Sequence, residues 1–192
     1  MIDQALSSVI LIGPYGTGKS TIAELIAPKL GVPHVSMDTE QHYYAEVGFD
    51  KEEFRRLYRE VSQRAADLYF QSFFPAAMAR LLHDHPGHVI DLGAGHTVSE
   101  DPARFARIKA LLDPYPNVVL ILPSPDLDRS ISVLRERTRD RPGADFFFNS
   151  EFDYFNYWVK SPCNFELAKL TVYTEGKTPE QTASEVLRAL NS

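Results

Sequence analysis

The run Gly13-Pro-Tyr-Gly-Thr-Gly-Lys-Ser20 constrains this chain more than any other stretch. It is a full match to the pattern G-x-x-x-x-G-K-[ST], directly after the apolar tetrad Val9-Ile-Leu-Ile12 and directly before residues with apolar side chains at helical spacing. Glycines let such a turn fold into a concave nest of N–H groups, and the helix behind it presents its positive dipole end to the same anion. Lys19 is then placed to neutralise the outer phosphates of a nucleoside triphosphate, and the Ser20 hydroxyl to reach Mg²⁺. Gly13, Tyr15, Gly16, Thr17, Gly18, Lys19, Ser20 and Thr21 form the expected nucleotide-binding set. A glycine-rich turn with an ordinary surface lysine explains neither the Lys-Ser pair nor its position.

The rest of the chain agrees with a strand–loop–helix beginning. Short runs rich in Val, Ile and Leu, at His34–Ser36, His88–Leu92, Val118–Leu122 and Leu170–Tyr173, alternate with segments of helical period. Their near-continuous hydrophobicity predicts parallel strands covered on both faces. The first helix is expected to start at Lys19, bury Ile22, Leu25, Ile26 and Leu30, and stop at Gly31. A long helical segment from Asp50 to about Arg80, interrupted by Pro75, is expected to bury Phe54, Leu57, Val61, Ala65 and Leu68. Asp101-Pro102 opens a helix with Phe105, Ile108, Leu111 and Leu112 inward. Thr178-Pro-Glu-Gln181 has the residues of a reciprocal cap and opens the last, with Val186, Leu187 and Leu190 inside.

Composition narrows the partners. Lys and Arg number 20 against 26 Asp and Glu, a formal charge of −6, which gives a nucleic-acid backbone no electrostatic welcome. One cysteine, Cys163, allows no internal disulfide, and the opening residues suggest neither a leader nor a membrane anchor, so a cytoplasmic protein without membrane contact is expected. No repeat or linker divides the 192 residues, and residues 1–192 read as a single domain.

Two acidic sites follow strands, where ligands of open parallel sheets bind. In Met37-Asp38-Thr39-Glu40, Asp38 is suited to hold Mg²⁺ through water, and Glu40 to accept a hydroxyl proton or orient that hydroxyl. The alternative is a helix cap by Asp38 with Glu40 in the first turn. Asp91 ends the His88–Leu92 run and reads either as a magnesium-orienting acid or as a cap on the glycine-rich turn behind it.

These motifs, in this order, resemble the shikimate kinase family, within the nucleoside-monophosphate-kinase-like group of P-loop folds, over nearly the whole chain. Asp38-Thr39-Glu40 stands for the family's Asp-x-Asp, Phe54-Arg55 for its Phe-Arg, Gly93-Ala94-Gly95 for its triple glycine, Arg141-Pro142 for its lid Arg-Pro, and Lys160-Ser161-Pro162 for a late Arg two residues before Pro. The resemblance implies an α/β P-loop three-layer sandwich with a five-stranded parallel sheet in order 2-3-1-4-5. It also implies an acceptor-binding insertion at about 37–80, a lid at about 135–148, and ATP-dependent phosphoryl transfer with Mg²⁺ to a small-molecule hydroxyl.

By that resemblance Lys19, Asp38 and Arg141 are catalytic, and Asp38, Glu40, Arg55, Gly93, Ala94, Gly95 and Lys160 surround the acceptor. Ser20 with Asp38 or Asp91 handles the metal, and Arg135 or Arg137 stacks on adenine. Phe146 to Phe148 are expected to pack the base of the lid on the body. The departures fall on the acceptor face: Glu40 reaches one methylene further than Asp, Ala94 adds a methyl followed closely by His96, and Lys160 lacks the two-pronged fork of Arg. They point to a related polyol, cyclitol or other small hydroxy compound in place of shikimate. The expected partner is that small molecule, with the protein a monomer or weak homodimer. Two rivals stand beside this reading: a nucleoside or nucleotide kinase stacking a base on Tyr43, Tyr44 or Phe49, and a nucleotide-binding regulator without transfer.

Overall fold

Five short strands pair in parallel in the order second-third-first-fourth-fifth, the order that the family resemblance implies. The central strand β1 (Val9–Ile12) lies between β3 (Val89–Asp91) and β4 (Asn117–Leu122), with β2 (His34–Ser36) and β5 (Leu170–Tyr173) at the edges. Ile10 is in register with Ile90 on one side and Val118 on the other. This computed structural model describes residues 7–141 and 143–190, so Pro142 of the Arg-Pro pair lies outside the described residues.

Side chains alternate across a strand, so every apolar strand needs two covers. On one face Val9, Leu11, Val119 and Ile121 meet Ile22 and Ile26 of α1 (Lys19–Leu30) and Val186 of α11 (Pro179–Leu190). On the other, Ile10, Ile90, Val118 and Leu120 meet Tyr43 and Tyr44 of α2 (His42–Glu46), Met78 and Leu81 of α5 (Phe74–Asp84), and Ile108 and Leu112 of α6 (Pro102–Leu112). Gly31 ends α1 with φ 70°, and Thr178 and Gln181 cap α11 reciprocally, Gln181 Oε1 accepting from Thr178 N at 2.8 Å.

The long helical segment expected from Asp50 to Arg80 is instead three helices, α3 (Lys51–Glu60), α4 (Gln63–Gln71) and α5. The breaks fall at Val61-Ser62 and Ser72-Phe73. Pro75 sits in the first turn of α5, where its missing N–H costs nothing. Ser62 caps α4 by accepting from Ala65 N at 3.0 Å, an alternative to continued helix that the apolar spacing concealed. The expected buried stripe is also corrected: α3 buries no residue, Val61 is 62% and Leu68 38% exposed. These two helices pack on each other, so Phe54 and Leu57 are only half-buried.

After β4 come α7 (Leu127–Thr138), α8 (Asp145–Phe148), α9 (Tyr154–Lys160) and α10 (Pro162–Leu167). Of the lid expected at about 135–148, residues 135–138 are the last turn of α7, whose Leu134 packs with Phe155 and Val159 of α9. Among the described residues no helix is long and apolar enough to cross a membrane.

Candidate active site

The loop after β1 is built so that only glycine fits at its two tightest points. Gly13 has φ 136°, and a Cβ there would stand 2.5 Å from the Ile121 carbonyl oxygen; at Gly16, φ 84°, it would stand 2.2 Å from Thr138 Cγ2. Thr17 Oγ1 donates to the Pro14 carbonyl at 3.1 Å, and Lys19 Nζ donates to the carbonyls of Gly13 and Pro14 at 2.8 and 3.0 Å. The ammonium is thus folded over the nest and held before any phosphate arrives. Burial pushes the Lys19 ammonium below its ordinary range, opposed by the charges of Asp38 and Asp91.

Two recesses meet at this loop. One, of about 250 Å³, runs from Gly16 and Thr21 between Arg137, Thr174, Lys177 and Pro179. The other, of about 140 Å³, lies beside Tyr15, Lys19, Ser20, Asp38, Ala94 and Arg141. Gly16, Gly18, Thr21 and Arg141 line both, so the two form one channel past the phosphate nest. Its first half suits a nucleoside and its second a smaller partner facing the phosphate end.

Of the two arginines expected near adenine, the structure brings only Arg137 to the first recess, where Nη1 donates to Thr174 Oγ1 at 3.1 Å. Arg135 is turned to the other side of α7, paired with Asp153 at 2.7 Å and lying over Phe155. Two positions along a helix point about 200° apart, which separates them.

Asp91 is 1% exposed. Its Oδ1 accepts from Ser36 Oγ at 2.9 Å and Ser20 Oγ at 3.2 Å, and Oδ2 meets His34 Nε2 at 2.7 Å. The carboxylate is enclosed behind Ser20, so it orients that hydroxyl rather than opening to the recess, and it does not cap the glycine turn. Among the described residues no three His, Cys, Asp or Glu side chains converge as a metal cage. The oxygen donors at the recess, Ser20 and Asp38, fit a Mg²⁺ completed by phosphate oxygens and water.

Asp38 lines the second recess and does not cap a helix; α2 starts at His42, and Gln41 before it makes no side-chain cap, its Nε2 donating to the Asp38 carbonyl at 2.9 Å. Asp38 Oδ1 would lie 2.5 Å from a Cβ on Gly93, so any side chain there would have to displace Asp38 or the His96 ring. Ala94 also lines the recess, and Gly95 packs beside Phe74 and Trp158 with ordinary room for a Cβ.

Three expected acceptor residues are placed elsewhere. Glu40 pairs with His42 at 3.3 Å and lines neither recess. Arg55 pairs with Glu52 on the exposed α3 and borders a separate apolar recess with Tyr58 and Phe146. Lys160 pairs with Asp128 on α7 at 2.7 Å. In each case a neighbouring polar partner or the helix face takes the side chain away from the channel.

The guanidinium drawn inward from the insertion is that of Arg64, which the sequence reading passed over. It stacks 3.8 Å above Phe152 and bridges Asp67 at 2.8 Å and Glu100 at 2.6 Å. Burial raises the Asp67 carboxyl, which Arg64 partly offsets. The Arg64/Asp67 spacing of three on a helix was the available signal. The imidazole of His96 is also buried, and burial pushes its pKa down.

The aromatic run Phe146 to Phe148, expected at the base of the lid, packs on the body. Phe147 meets Tyr15 of the phosphate loop at 5.2 Å, Trp158 at 5.0 Å and Tyr154 at 5.5 Å, and Phe148 meets Phe155 at 5.3 Å. Phe146 stacks on Tyr58, and its carbonyl accepts from Gln63 Nε2. This aromatic run therefore touches both the phosphate loop and the helices α3 and α4. Tyr43 and Tyr44 are core residues, 3% and 2% exposed, and Phe49 sits among Phe54, Tyr69, Phe70 and Phe73. None of the three offers a free face to a base.

Comparison with known proteins agrees with this geometry. The family model "Shikimate kinase" matches residues 15–191. The shikimate kinase of Enterococcus faecalis is 26% identical over 195 residues, covering 96% of this chain and 99% of the relative; that of Streptomyces avermitilis is 27% identical over 187, covering 95% and 94%. Among solved structures, the shikimate kinase of Acinetobacter baumannii in complex with shikimate superposes with a TM-score of 0.65 at 18% identity, covering 98% of this chain and 94% of that one. With the phosphate nest, the sheet order and the glycine turn facing Asp38 all in place, the chain belongs to the shikimate kinase family and is a small-molecule kinase.

Proposed function

We propose that this protein transfers the γ-phosphoryl group of ATP to a hydroxyl of a small polyhydroxylated molecule related to, but distinct from, shikimate. The observation carrying this reading is the continuity of the two recesses at Gly16, Gly18, Thr21 and Arg141, with Lys19 and Asp38 lining the second.

The loop amides and Lys19 hold the phosphate tail, and Arg137 borders the nucleoside end. Mg²⁺, held by Ser20 and through water by Asp38, would neutralise phosphate charge when bound. The acceptor hydroxyl, held by Asp38, attacks the γ-phosphorus in line; the bond from that phosphorus to the β–γ bridging oxygen breaks, and the hydroxyl proton passes to the Asp38 carboxylate. Arg141, which lines both recesses, stabilises the charge on the transferring group. Phe147 against Tyr15 excludes water, which would otherwise compete as acceptor.

The engagement of Lys160 and Arg55 with carboxylates of their own supports an acceptor other than shikimate, since neither is held ready for a carboxylate. The burial of Tyr43 and Tyr44 speaks against a nucleobase. The test is ADP release with ATP and Mg²⁺ over a panel of shikimate, D-gluconate, myo-inositol and nucleosides. A hydroxy compound turned over better than shikimate is expected; efficient turnover of shikimate alone overturns the substrate reading, and no release above the water rate overturns phosphoryl transfer.

A further inference from the structure

The buried Asp91 carboxylate has one partner that stands outside the channel. His34, the first residue of β2, lines neither recess, yet its Nε2 lies 2.7 Å from Asp91 Oδ2, with the imidazole 19% and the carboxylate 1% exposed. The sheet places it there. β2 runs parallel to β3 with Ser36 in register with Asp91, and side chains alternate along a strand, so His34, Ser36 and Asp91 share one face. That face is the one covered by α1, whose first turn carries Ser20.

Three donors divide the carboxylate between them. The hydroxyls of Ser20 and Ser36 both donate to Oδ1, at 3.2 and 2.9 Å, and His34 holds Oδ2. A carboxylate only accepts, so Nε2 carries the proton of that contact. Among the described residues no Lys or Arg lies within ion-pair distance of Asp91, and the imidazole is its one partner of that kind. The terminal torsion of an aspartate is broad and roughly two-fold, so hydroxyls gathered on one oxygen, themselves free to rotate, leave the carboxyl plane loose. A stiff ring donor on the second oxygen fixes it. Oδ1 then stays on Ser20, the Ser20 hydrogen stays turned inward, and the lone pairs of that oxygen are left for the recess that Ser20 lines.

We propose that His34 is a positioning residue for the metal: by holding Asp91 Oδ2 it fixes the carboxylate that orients the Ser20 hydroxyl, and so sets how strongly Mg²⁺ tightens the nucleotide complex. His34 touches neither nucleotide nor acceptor and acts only through Asp91. The inference rests on the nucleotide and metal part of the reading above and deepens it.

Two variants separate the donor from the bulk of the ring: His34→Gln keeps an N–H near the position of Nε2, and His34→Phe keeps the ring without a donor. The readout is calorimetric binding of the ATP analogue AMP-PNP with and without Mg²⁺, alongside the Mg²⁺ dependence of ADP release. The expected result for His34→Phe is a Mg²⁺-dependent gain in AMP-PNP affinity about tenfold smaller than in the wild type, and a half-saturating Mg²⁺ raised about tenfold, with metal-free affinity within about threefold. His34→Gln should restore both to within about threefold of wild type. An undiminished Mg²⁺ gain in His34→Phe overturns the assignment, as does an equal loss in the two variants or a loss of metal-free affinity as large as the loss with metal. AMP-PNP binding by the wild type that Mg²⁺ does not strengthen overturns it as well. With the Mg²⁺ pattern as expected, the absence of acceptor-dependent ADP release overturns phosphoryl transfer and leaves the role of His34 supported by binding alone.

Discussion

The Ser20 hydroxyl donates to Asp91 Oδ1 across 3.2 Å, tying the first turn of α1 to the end of β3. Ser36 and His34 hold the same carboxylate from β2, so two strands and a helix converge on one buried acid. The bond fixes where the Ser20 oxygen points. Asp91→Asn keeps the shape but loses the charge and one acceptor. Its kcat is expected to fall about 10- to 100-fold with a raised requirement for Mg²⁺, measured as ADP release against metal concentration. An unchanged metal dependence would separate Asp91 from the site.

Lys19 joins activity to a pH-dependent stability. Lys19→Met should lower kcat about 10²- to 10³-fold while retaining the fold by circular dichroism. In the free protein burial sets the Lys19 pKa below the unfolded value of 10.5, so the unfolded chain binds the extra proton between the two. Stability of the wild type therefore rises with pH through that window and is flat above it. Urea titrations of both proteins from neutral to alkaline pH, without nucleotide, should show this rise as an excess slope in the wild type over Lys19→Met.

Gly93 faces the Asp38 carboxylate and the His96 ring, and the smallest side chain already collides with both. Gly93→Ala should displace Asp38 or the His96 ring and lower kcat/KM for the acceptor about 10²-fold, with a stability loss of about 1–3 kcal/mol. Gly95→Ala, whose added methyl makes only contacts of 3.5 Å or more, is the control and should stay within a few fold of wild type. Parallel steady-state kinetics and thermal melts decide between them.

Two arginines of the insertion should behave oppositely. Arg55→Ala removes an exposed pair with Glu52 and is expected to change stability by less than about 0.5 kcal/mol. Arg64→Ala strips Asp67 of its cation and Phe152 of its stacked guanidinium, and should cost about 2–4 kcal/mol. Chemical denaturation of both reads this directly. A large loss in Arg55→Ala with none in Arg64→Ala would contradict the placement of these side chains.

What the sequence by itself determined was whatever depends on local conformation and on period. The phosphate nest follows from glycine positions and the Lys-Ser pair, and the five strands from apolar runs too continuous for a half-wet sheet. The helix stop at Gly31 and the cap at Thr178 are short-range hydrogen-bond chemistry, and the structure holds them where the residues put them. The strand order 2-3-1-4-5 came with the family resemblance, since parallel strands are joined through distant crossovers that no local signal orders.

Tertiary structure alone decided which of several equivalent charges are drawn inward and which stay on the surface. Arg55 and Arg64 both lie on amphipathic helices near acids; only the packing of α3 and α4 leaves one outside and draws the other onto Phe152. Glu40 and Lys160 were placed at the acceptor by motif and resemblance, yet each found a closer polar partner, at His42 and Asp128. Asp91 needed β2 beside β3 before Ser36 and His34 could enclose it. Charged side chains are long and find partners in three dimensions, so period and motif fix where their backbone goes, and only packing fixes where their ends point.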